Sequence, residues 1–419
     1  MSGTENKKHG RKIGMNLLIL HPNFPAQYLH VARYFANTGR DKVVFLTKET
    51  NGSRLRNVNV ALYKATREAT PKIHPYVKSM EEAVLDGQAV VRAIAGLRQQ
   101  INFKPDVIIG HSGWGSTLYT KDLYPDVPLI GYFEWYYSAY GSDVGYWPDE
   151  KVTDDSKLRI RTLNAHHLLN LQACDVRYTP TEWQRSRFPK EYRDTLQVIH
   201  EGIETDLFKP NPGAKMILPS IKLDLSKEKE IVTYVSRGFE PYRGFPQFMD
   251  AIRILLKRRP KCHVVIVGVD RSCYGPAPAK DKTWKSIEEE KGGYDKKRVH
   301  FTGLLAREDY LTVLQASTVH VYLTRPFVLS WSSMESMSTG CCLVTSKTPP
   351  VQEVAVDGEN ALLANFREPA HIATRIEEAL EDAPLRARLG KAARETIVSR
   401  YDVRDCLRKT VNMIYGAMK

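Results

Sequence analysis

The stretch Val319–Ser346, VHVYLTRPFVLSWSSMESMSTGCCLVTS, decides how the chain is read. Val319–Leu323 is a short run of apolar residues of the kind buried on both faces in a parallel sheet. A loop containing Pro326 follows. Ser332–Ser338 then reads as a helix, Gly340 supplies its stop signal, and Cys342–Thr345 reads as the next buried strand. Strand, helix and strand in this order make a βαβ unit of a parallel sheet. The free N–H groups at the start of the helix suit an anion. Glu335 has two readings. Ser332-Ser333-Met334-Glu335 spells a capping box, in which Glu335 only completes the helix end, and local spacing favours that reading. The other is a carboxylate available to a ligand.

The same alternation runs outward in both directions. Upstream in this half, Ile231–Ser236, His263–Val267 and Val299–Thr302 read as strands. Phe245–Arg258 and Glu308–Gln315 read as helices between them. Downstream lie the helix Ala370–Leu380 and a largely helical tail, Pro384–Met418. The first half repeats the pattern. Its strands are Met15–Leu20, Val43–Thr47, Asp106–Gly110, Pro128–Phe133, Val176–Thr179 and Gln197–His200. Its helices are Gln27–Thr38, Glu81–Gln100, Ser156–Ala173 and Glu182–Phe188. Between the halves, Lys209–Lys229 carries Pro210, Pro212, Gly213 and Pro219 among polar residues, as a linker does. The expected layout is a basic tail over 1–14, an N-terminal domain over 15–210, a linker over 211–229, a C-terminal domain over 230–400, and a terminal helix over 401–419 packing back on the first domain. Two parallel-sheet domains in tandem bind ligand in the cleft between them, outside the carboxyl ends of their strands.

Composition narrows the function. The 419 residues hold 42% hydrophobic and 26% charged residues, a globular balance. No apolar run reaches the roughly 18 residues that span a bilayer. The N-terminal basic cluster Lys7–Lys12 precedes an apolar run that Asn16 interrupts and no cleavage site follows, so it is not read as a secretory signal. Cys174, Cys262, Cys273, Cys341, Cys342 and Cys406 form no metal or redox spacing, which predicts a reduced, cytoplasmic protein. The net charge of +13 points to an anionic partner. The cations are scattered and no nucleic-acid signature occurs, so phosphorylated substrates and an anionic membrane surface, met peripherally, stand ahead of nucleic acid.

A second stretch, Val232–Gly244 (VTYVSRGFEPYRG), ends a strand with Arg237 and Arg243 in the loop beyond it. Cations at the carboxyl end of a parallel strand are placed for a diphosphate. Together the two stretches resemble the nucleotide-sugar site of glycosyltransferase family 4, a retaining family of GT-B fold with two Rossmann-like domains facing each other across a cleft. Glu335-Ser336-Met337-Ser338-Thr339-Gly340 is similar to the family's glutamate-Ala-Met-Ala-x-Gly. Tyr234–Gly244 resembles its Gly-Arg-x-x-x-x-Lys-Gly loop. Val299–Gly303, Val198–Pro210 (VIHEGIETDLFKP) and Val351–Leu363 (VQEVAVDGENALL) are similar to flanking family segments.

The resemblance implies roles. Glu335 would hold the donor ribose, and Arg237 and Arg243 the diphosphate. Backbone N–H groups of Val328, Leu329 and Ser330 would meet the sugar and phosphates, and Gly303, Leu304 and Leu305 would border the base. His111, in Gly110-His111-Ser112-Gly113, matches a family histidine. Three departures stand out. Phe327 occupies the place of the family's first glutamate in the donor site, Arg243 that of its lysine, and Glu134 that of a histidine which touches the transferred sugar. Glu134 lies in the aromatic run Gly131–Tyr137 (GYFEWYY), whose Trp135 and Tyr136, with Asn23, Phe24 and Gln27 of the first loop, are the expected acceptor-side residues. The implied reaction is retaining transfer from a nucleotide-diphosphate sugar to a glycan, lipid-linked or small-molecule acceptor. No cofactor or metal is expected, because no Asp-x-Asp motif occurs. The alternative is a non-catalytic nucleotide-binding subunit of the same fold.

Overall fold

The computed structural model describes residues 14–279 and 281–419. The basic tail read over Lys7–Lys12 lies outside them. The N-terminal sheet has seven parallel strands: β1 (Asn16–Leu20), β2 (Lys42–Thr47), β3 (Val58–Leu62), β4 (Val107–His111), β5 (Leu129–Tyr132), β6 (Val176–Thr179) and β7 (Leu196–Val198). They lie in the order β3-β2-β1-β4-β5-β6-β7. A short antiparallel hairpin, β8 (Ile217–Leu218) and β9 (Leu223–Asp224), joins it to the second sheet. That sheet has six parallel strands: β10 (Ile231–Gly238), β11 (His263–Val269), β12 (Val299–Gly303), β13 (Val319–Tyr322), β14 (Leu343–Ser346) and β15 (Leu362–Ala364). Their order is β12-β11-β10-β13-β14-β15. This is a GT-B architecture of two α/β domains.

The period of two along a strand explains why the runs are wholly apolar. Leu17, Ile19, Val43, Phe45, Val107 and Ile109 turn to one face, against Val31 and Phe35 of the helix Leu29–Ala36. Leu18, Leu20, Val44, Leu46 and Ile108 turn to the other, against Val90 and Ile94 of the helix Lys78–Ile101. Helices on both faces leave no solvated side, so alternation vanishes from the sequence.

Several elements differ from the sequence reading, the short strand β15 among those it did not contain. Strand β3 was missed because Asn59, Val60 and Leu62 are exposed on a sheet edge, which removes the apolar signal. The helix Trp284–Lys291, capped by Thr283 and Ser286, was missed for its polar composition. The helix expected over 156–173 is two, Asp154–Leu163 and Ala165–Ala173. The Asn164 amide between them accepts from the Tyr137 N–H at 2.9 Å and donates to the Tyr137 carbonyl at 2.8 Å. The connecting segment is anchored, with Met216, Leu218 and Leu225 buried against Val265, Val267 and Val313 of the second domain.

The chain ends by returning to the first domain. Val411, Met413 and Ile414 of the helix Val403–Ala417 join the cluster around Phe35, and Tyr415 meets the Phe35 ring edge-on at 5.7 Å. The described cysteines are all free thiols, and no helix among the described residues is long and apolar enough to cross a membrane.

Burial holds His21, His30, His166, His167, His200, His300 and His320 below the ordinary histidine range. His320, on β13, is brought down to about 3; its Nδ1 pairs with Thr233 Oγ1 at 2.8 Å. The unfolded chain takes up these protons near pH 6.5 and the folded chain does not. Stability is therefore full above that pH and falls as the pH drops towards 3, each histidine adding a slope of up to about 1.4 kcal/mol per pH unit. Urea midpoints measured between pH 7.5 and 5 should decline steeply, and His320→Gln should remove one proton from that slope. An unchanged midpoint over the range contradicts the assignment.

Candidate active site

The carboxyl ends of β10, β11 and β12 and the start of the helix Trp331–Ser338 enclose a cavity of about 660 Å³ in the C-terminal domain. Its walls include Arg237, Leu304, Leu305, Tyr310, Ser330 and Glu335. Two glycines open it. Gly268, at φ 150°, lies against the Ser236 carbonyl, where a side chain would collide, and Gly303 turns the chain at φ 72°. Leu304, just past that turn, is 83% exposed and offers a bare apolar surface.

The capping box read at Ser332–Glu335 does not form. The N-cap is Ser330, whose Oγ accepts from the Ser332 N–H at 3.3 Å. Glu335 is thus the fifth helical residue, beyond the reach of the cap. Its Oε2 accepts from the Tyr310 hydroxyl at 2.6 Å. Burial raises the Glu335 carboxyl above its usual range, while the Tyr310 hydrogen bond and the nearby Arg307 oppose that rise. Arg307 also lines this cavity and pairs with Glu204; nothing in the sequence singled it out.

A smaller cavity, of about 200 Å³, adjoins the first across Arg237, Ser330 and Trp331 and reaches the N-terminal domain. The two expected arginines behave differently there. Arg237 is exposed, lines both cavities and makes no ion pair or hydrogen bond among the described residues. Arg243 is buried. Its Nη1 donates to Tyr322 Oη at 2.7 Å, Thr324 Oγ1 at 2.9 Å and the Val328 carbonyl at 2.9 Å. It therefore pins the loop that carries the site. The Ser330 N–H, expected to face phosphate, donates to the Tyr322 hydroxyl at 2.9 Å instead. The N–H groups of Val328 and Leu329, residues that line the cavity, engage no partner among the described residues.

Opposite Arg237, Glu134 projects beyond β5. Its Oε1 accepts from Gln27 Nε2 at 3.3 Å, and its Oε2 lies 3.5 Å from His111 Nε2. His111 Nδ1 accepts the Gly113 N–H at 3.0 Å, so the ring proton sits on Nε2, towards Glu134. His111 is buried and does not border the cavity; its Nε2 faces the carboxylate but makes no hydrogen bond among the described residues. Glu201, beyond β7, is a second acid that sequence reading passed over, although it stands inside VIHEGIETDLFKP. It accepts from the Tyr132 hydroxyl and from Trp331 Nε1, the latter at 3.2 Å.

Several expected site residues lie elsewhere. Phe327 faces inward, with ring centroids 4.8, 5.2 and 5.5 Å from those of Trp135, Tyr274 and Tyr242. Trp135 is buried in the same wall. Phe24 packs on Phe45 at 4.9 Å, Tyr136 on Phe188 at 5.6 Å, and the Asn23 N–H donates to His21 Nδ1 at 2.9 Å. Of the expected acceptor-side residues, Gln27 alone borders this cavity. No group of three or more potential metal ligands occurs among the described residues.

Polar contacts hold the cleft together. The Glu353 carboxylate accepts from the Glu182 and Trp183 N–H groups at 2.8 Å each, at the start of the helix Glu182–Arg187. Trp183 Nε1 donates to the Phe327 carbonyl at 3.1 Å, and Arg325 reaches Glu150 at 3.1 Å.

Both halves of the chain resemble known proteins. Residues 39–208 match the glycosyl transferase family 4 group, and residues 220–396 match the glycosyl transferases group 1. The chain is 24% identical over 202 residues to D-inositol 3-phosphate glycosyltransferase from Corynebacterium diphtheriae, covering 48% of this chain and 46% of that protein. It is 25% identical over 209 residues to an uncharacterized glycosyltransferase, MJ1069, of Methanocaldococcus jannaschii, covering 49% of each. These matches span about half the length of the curated relatives. In fold, the chain is similar to Anabaena Alr3699/HepE in complex with UDP and glucose, with a TM-score of 0.68, 16% identity, and coverage of 96% of this chain and 99% of that one. It is also similar to sucrose-phosphate synthase from Thermosynechococcus elongatus, with a TM-score of 0.68, 15% identity, and coverage of 95% and 98%.

The two arginines should separate in stability measurements. Arg243→Met leaves the Val328 carbonyl and two hydroxyls without their donor and should destabilise the protein by about 2–4 kcal/mol. Arg237→Ala, at an exposed and uncommitted side chain, should stay within about 0.5 kcal/mol. Chemical denaturation of both variants checks this, and equal losses contradict the division of roles.

Proposed function

The chain belongs to the glycosyltransferases of GT-B fold and family 4 type, and on that premise we propose that it transfers a sugar from a nucleotide-diphosphate donor to an acceptor hydroxyl with retention of configuration. The observation that carries the reading is Arg237, an uncommitted cation at the junction of two cavities, with Glu335 in one and Glu134 in the other. The structural relative in complex with UDP and glucose supports a uridine nucleotide as the donor head.

In this reading Leu304 and Leu305 flank the base. Glu335 accepts hydrogen bonds from the ribose diol, for which two carboxylate oxygens are well matched. Arg237 and the N–H groups of Val328 and Leu329 meet the diphosphate. Arg243 acts indirectly, by fixing the loop. The bond from the anomeric carbon to the β-phosphate oxygen breaks, and the acceptor oxygen bonds to that carbon on the same face. The acceptor proton passes to the departing diphosphate, whose growing negative charge Arg237 and the backbone donors stabilise. Glu134, held by Gln27 with the His111 ring nearby, faces the positive charge that develops on the sugar ring. With Phe327 closed inside the aromatic wall, Glu134 and Glu201 supply the carboxylates of this cavity. Interdomain closure excludes water and so protects the donor from hydrolysis. The acceptor is a glycan, a lipid-linked sugar or a small polyol; a lipid-linked one would be reached from an anionic membrane surface through the net charge of +13.

Three outcomes test the proposal. A thermal-shift screen of nucleotide diphosphates should show stabilisation by UDP, and Glu335→Ala and Arg237→Ala should each weaken UDP at least tenfold, about 1.4 kcal/mol. Undiminished UDP affinity in both would remove these residues from the donor site. Glu134→Gln should lower turnover at least tenfold, about 1.4 kcal/mol of barrier, with UDP affinity little changed; wild-type turnover excludes it from the mechanism. Activity should persist in chelator, since Arg237 takes the place a divalent ion would fill. Loss of activity in chelator, restored by manganese or magnesium, overturns the metal-free mechanism.

A further inference from the structure

Past the end of β11 the chain runs through residues 270–279 towards the helix Trp284–Lys291. This loop leans on the one that follows β10. The Phe239 N–H donates to the Arg271 carbonyl at 3.0 Å, and the buried Glu240 carboxylate accepts the Cys273 N–H. A side chain at Gly238 would collide with the Arg271 carbonyl. One at Gly275, which turns at φ 75°, would collide with the Tyr242 ring. These contacts fix the backbone on both sides of Tyr274.

The Tyr274 ring is held as well. The Arg243 guanidinium lies over it, 5.2 Å from its centroid, and Phe327 meets it edge-on at 5.2 Å. Tyr274 therefore stands in the same aromatic wall as Phe327. Unlike Phe327 it is half-buried and borders the smaller cavity, with Arg237 and Glu134.

The other hydroxyls around this cavity are already engaged. The Tyr132 hydroxyl donates to Glu201, and Thr181 Oγ1 donates to Gln184 Oε1 at 2.9 Å. Ser330 Oγ pairs with Ser332 Oγ at 3.0 Å and accepts the Ser332 N–H. The Tyr274 hydroxyl makes no hydrogen bond among the described residues. Burial raises it above the ordinary tyrosine range; Arg243 and Arg237 oppose that rise and Glu134 adds to it. All three of these charged groups belong to the cavity. The phenol keeps its proton, so it can donate one hydrogen bond and accept another. Among the described residues the C-terminal domain brings no carboxylate to this cavity, since Phe327 is turned inward.

Resting on the glycosyltransferase reading, we propose that Tyr274 is a specificity-determining residue for the donor sugar, its hydroxyl bonding one hydroxyl of the ring that hangs from the diphosphate at Arg237. Glu134 meets the same ring from the N-terminal domain. A carboxylate can grip a vicinal pair of hydroxyls, whereas a phenol held in place by its ring pairs with one. The choice between sugars then falls on the presence and configuration of a single hydroxyl. A sugar that lacks it leaves the phenol unpaired inside a closed cavity, which is the costly case. Nucleotide binding at Leu304, Glu335 and Arg237 does not involve Tyr274, so the two kinds of recognition separate by experiment.

The test uses the full chain. Calorimetry would measure UDP, UDP-glucose, UDP-galactose, UDP-N-acetylglucosamine and UDP-xylose on the wild type, Tyr274→Phe and Tyr274→Gln. The wild type should favour one sugar over its best competitor at least tenfold. Tyr274→Phe keeps the ring under Arg243 and loses only the hydroxyl. It should cut that preference at least fivefold, with UDP affinity within twofold of wild type. Tyr274→Gln restores a polar group of different reach and should change the rank order of the sugars, again with UDP affinity kept; it carries the test should Tyr274→Phe fail to fold. A preference unchanged in both variants, no preference in the wild type, or a loss of UDP affinity equal to the loss for UDP-sugars would each overturn the assignment. Wild-type protein that binds neither UDP nor any UDP-sugar would overturn the uridine donor reading itself, and the assignment with it.

Discussion

The donor face depends on one buried guanidinium. Arg243 Nη1 bonds a tyrosine hydroxyl, a threonine hydroxyl and a main-chain carbonyl, all from β13 or the loop after it. A cation taken out of water is tolerated only with its hydrogen bonds satisfied, so the loop Leu323–Ser330 must fold around it. Tyr322, held on one side by Arg243, accepts the Ser330 N–H and so sets where the next helix begins. With Ser330 as the N-cap, Glu335 emerges one turn later against Tyr310 and the larger cavity. A cap two residues on, at Ser332, would have drawn the same carboxylate back to the helix end. Arg237, at the end of β10, is left exposed with no partner among the described residues, while Arg243 takes the structural role.

The second constraint is the relation between the domains. Glu353 caps the helix Glu182–Arg187 from across the cleft, Trp331 donates to Glu201, and Trp183 donates to the Phe327 carbonyl. Each of these contacts is polar and can be exchanged for water. The helix Val403–Ala417, by contrast, buries Val411 and Ile414 in the first domain, an apolar attachment. The chain thus ties its domains by an apolar attachment at the back, and at the site by these polar contacts together with the Trp135–Phe327 ring pair. The placement of Glu134 opposite Arg237 is a property of this pairing and of neither domain alone.

Aromatic residues decide which polar groups reach the small cavity. Phe327, Trp135, Tyr242 and Tyr274 pack edge to face in one wall, which closes the place where a carboxylate from the C-terminal domain would stand. Glu134 and Glu201, both from the N-terminal domain, face the cavity instead. Histidines position main-chain groups from behind. His21, His111 and His200 each accept the N–H two residues on, at the ends of β1, β4 and β7. In His111 this fixes the tautomer that faces Glu134.

Much of this was legible in the sequence. Strands buried on both faces appear as unbroken apolar runs, so Met15–Leu20, Ile231–Ser236 and Val319–Leu323 were visible as strands, and with the helices between them they determined two parallel-sheet domains. The motif around Glu335 and the arginines after β10 located the donor face, because the strand ends and helix starts that bind ligand are encoded locally. The edge strand β3 and the break at Asn164 were hidden, since exposure removes periodicity and a side-chain hydrogen bond to Tyr137 leaves no local trace. The roles of the site residues were settled only by tertiary structure. That Arg243 is buried and Arg237 free, that Phe327 turns inward, that Glu201 joins Glu134, and that Tyr274 borders the small cavity all depend on contacts between residues distant in the chain. Local sequence dictates where a backbone turns, while the direction of a side chain at a cleft is fixed by what the opposite wall leaves unfilled.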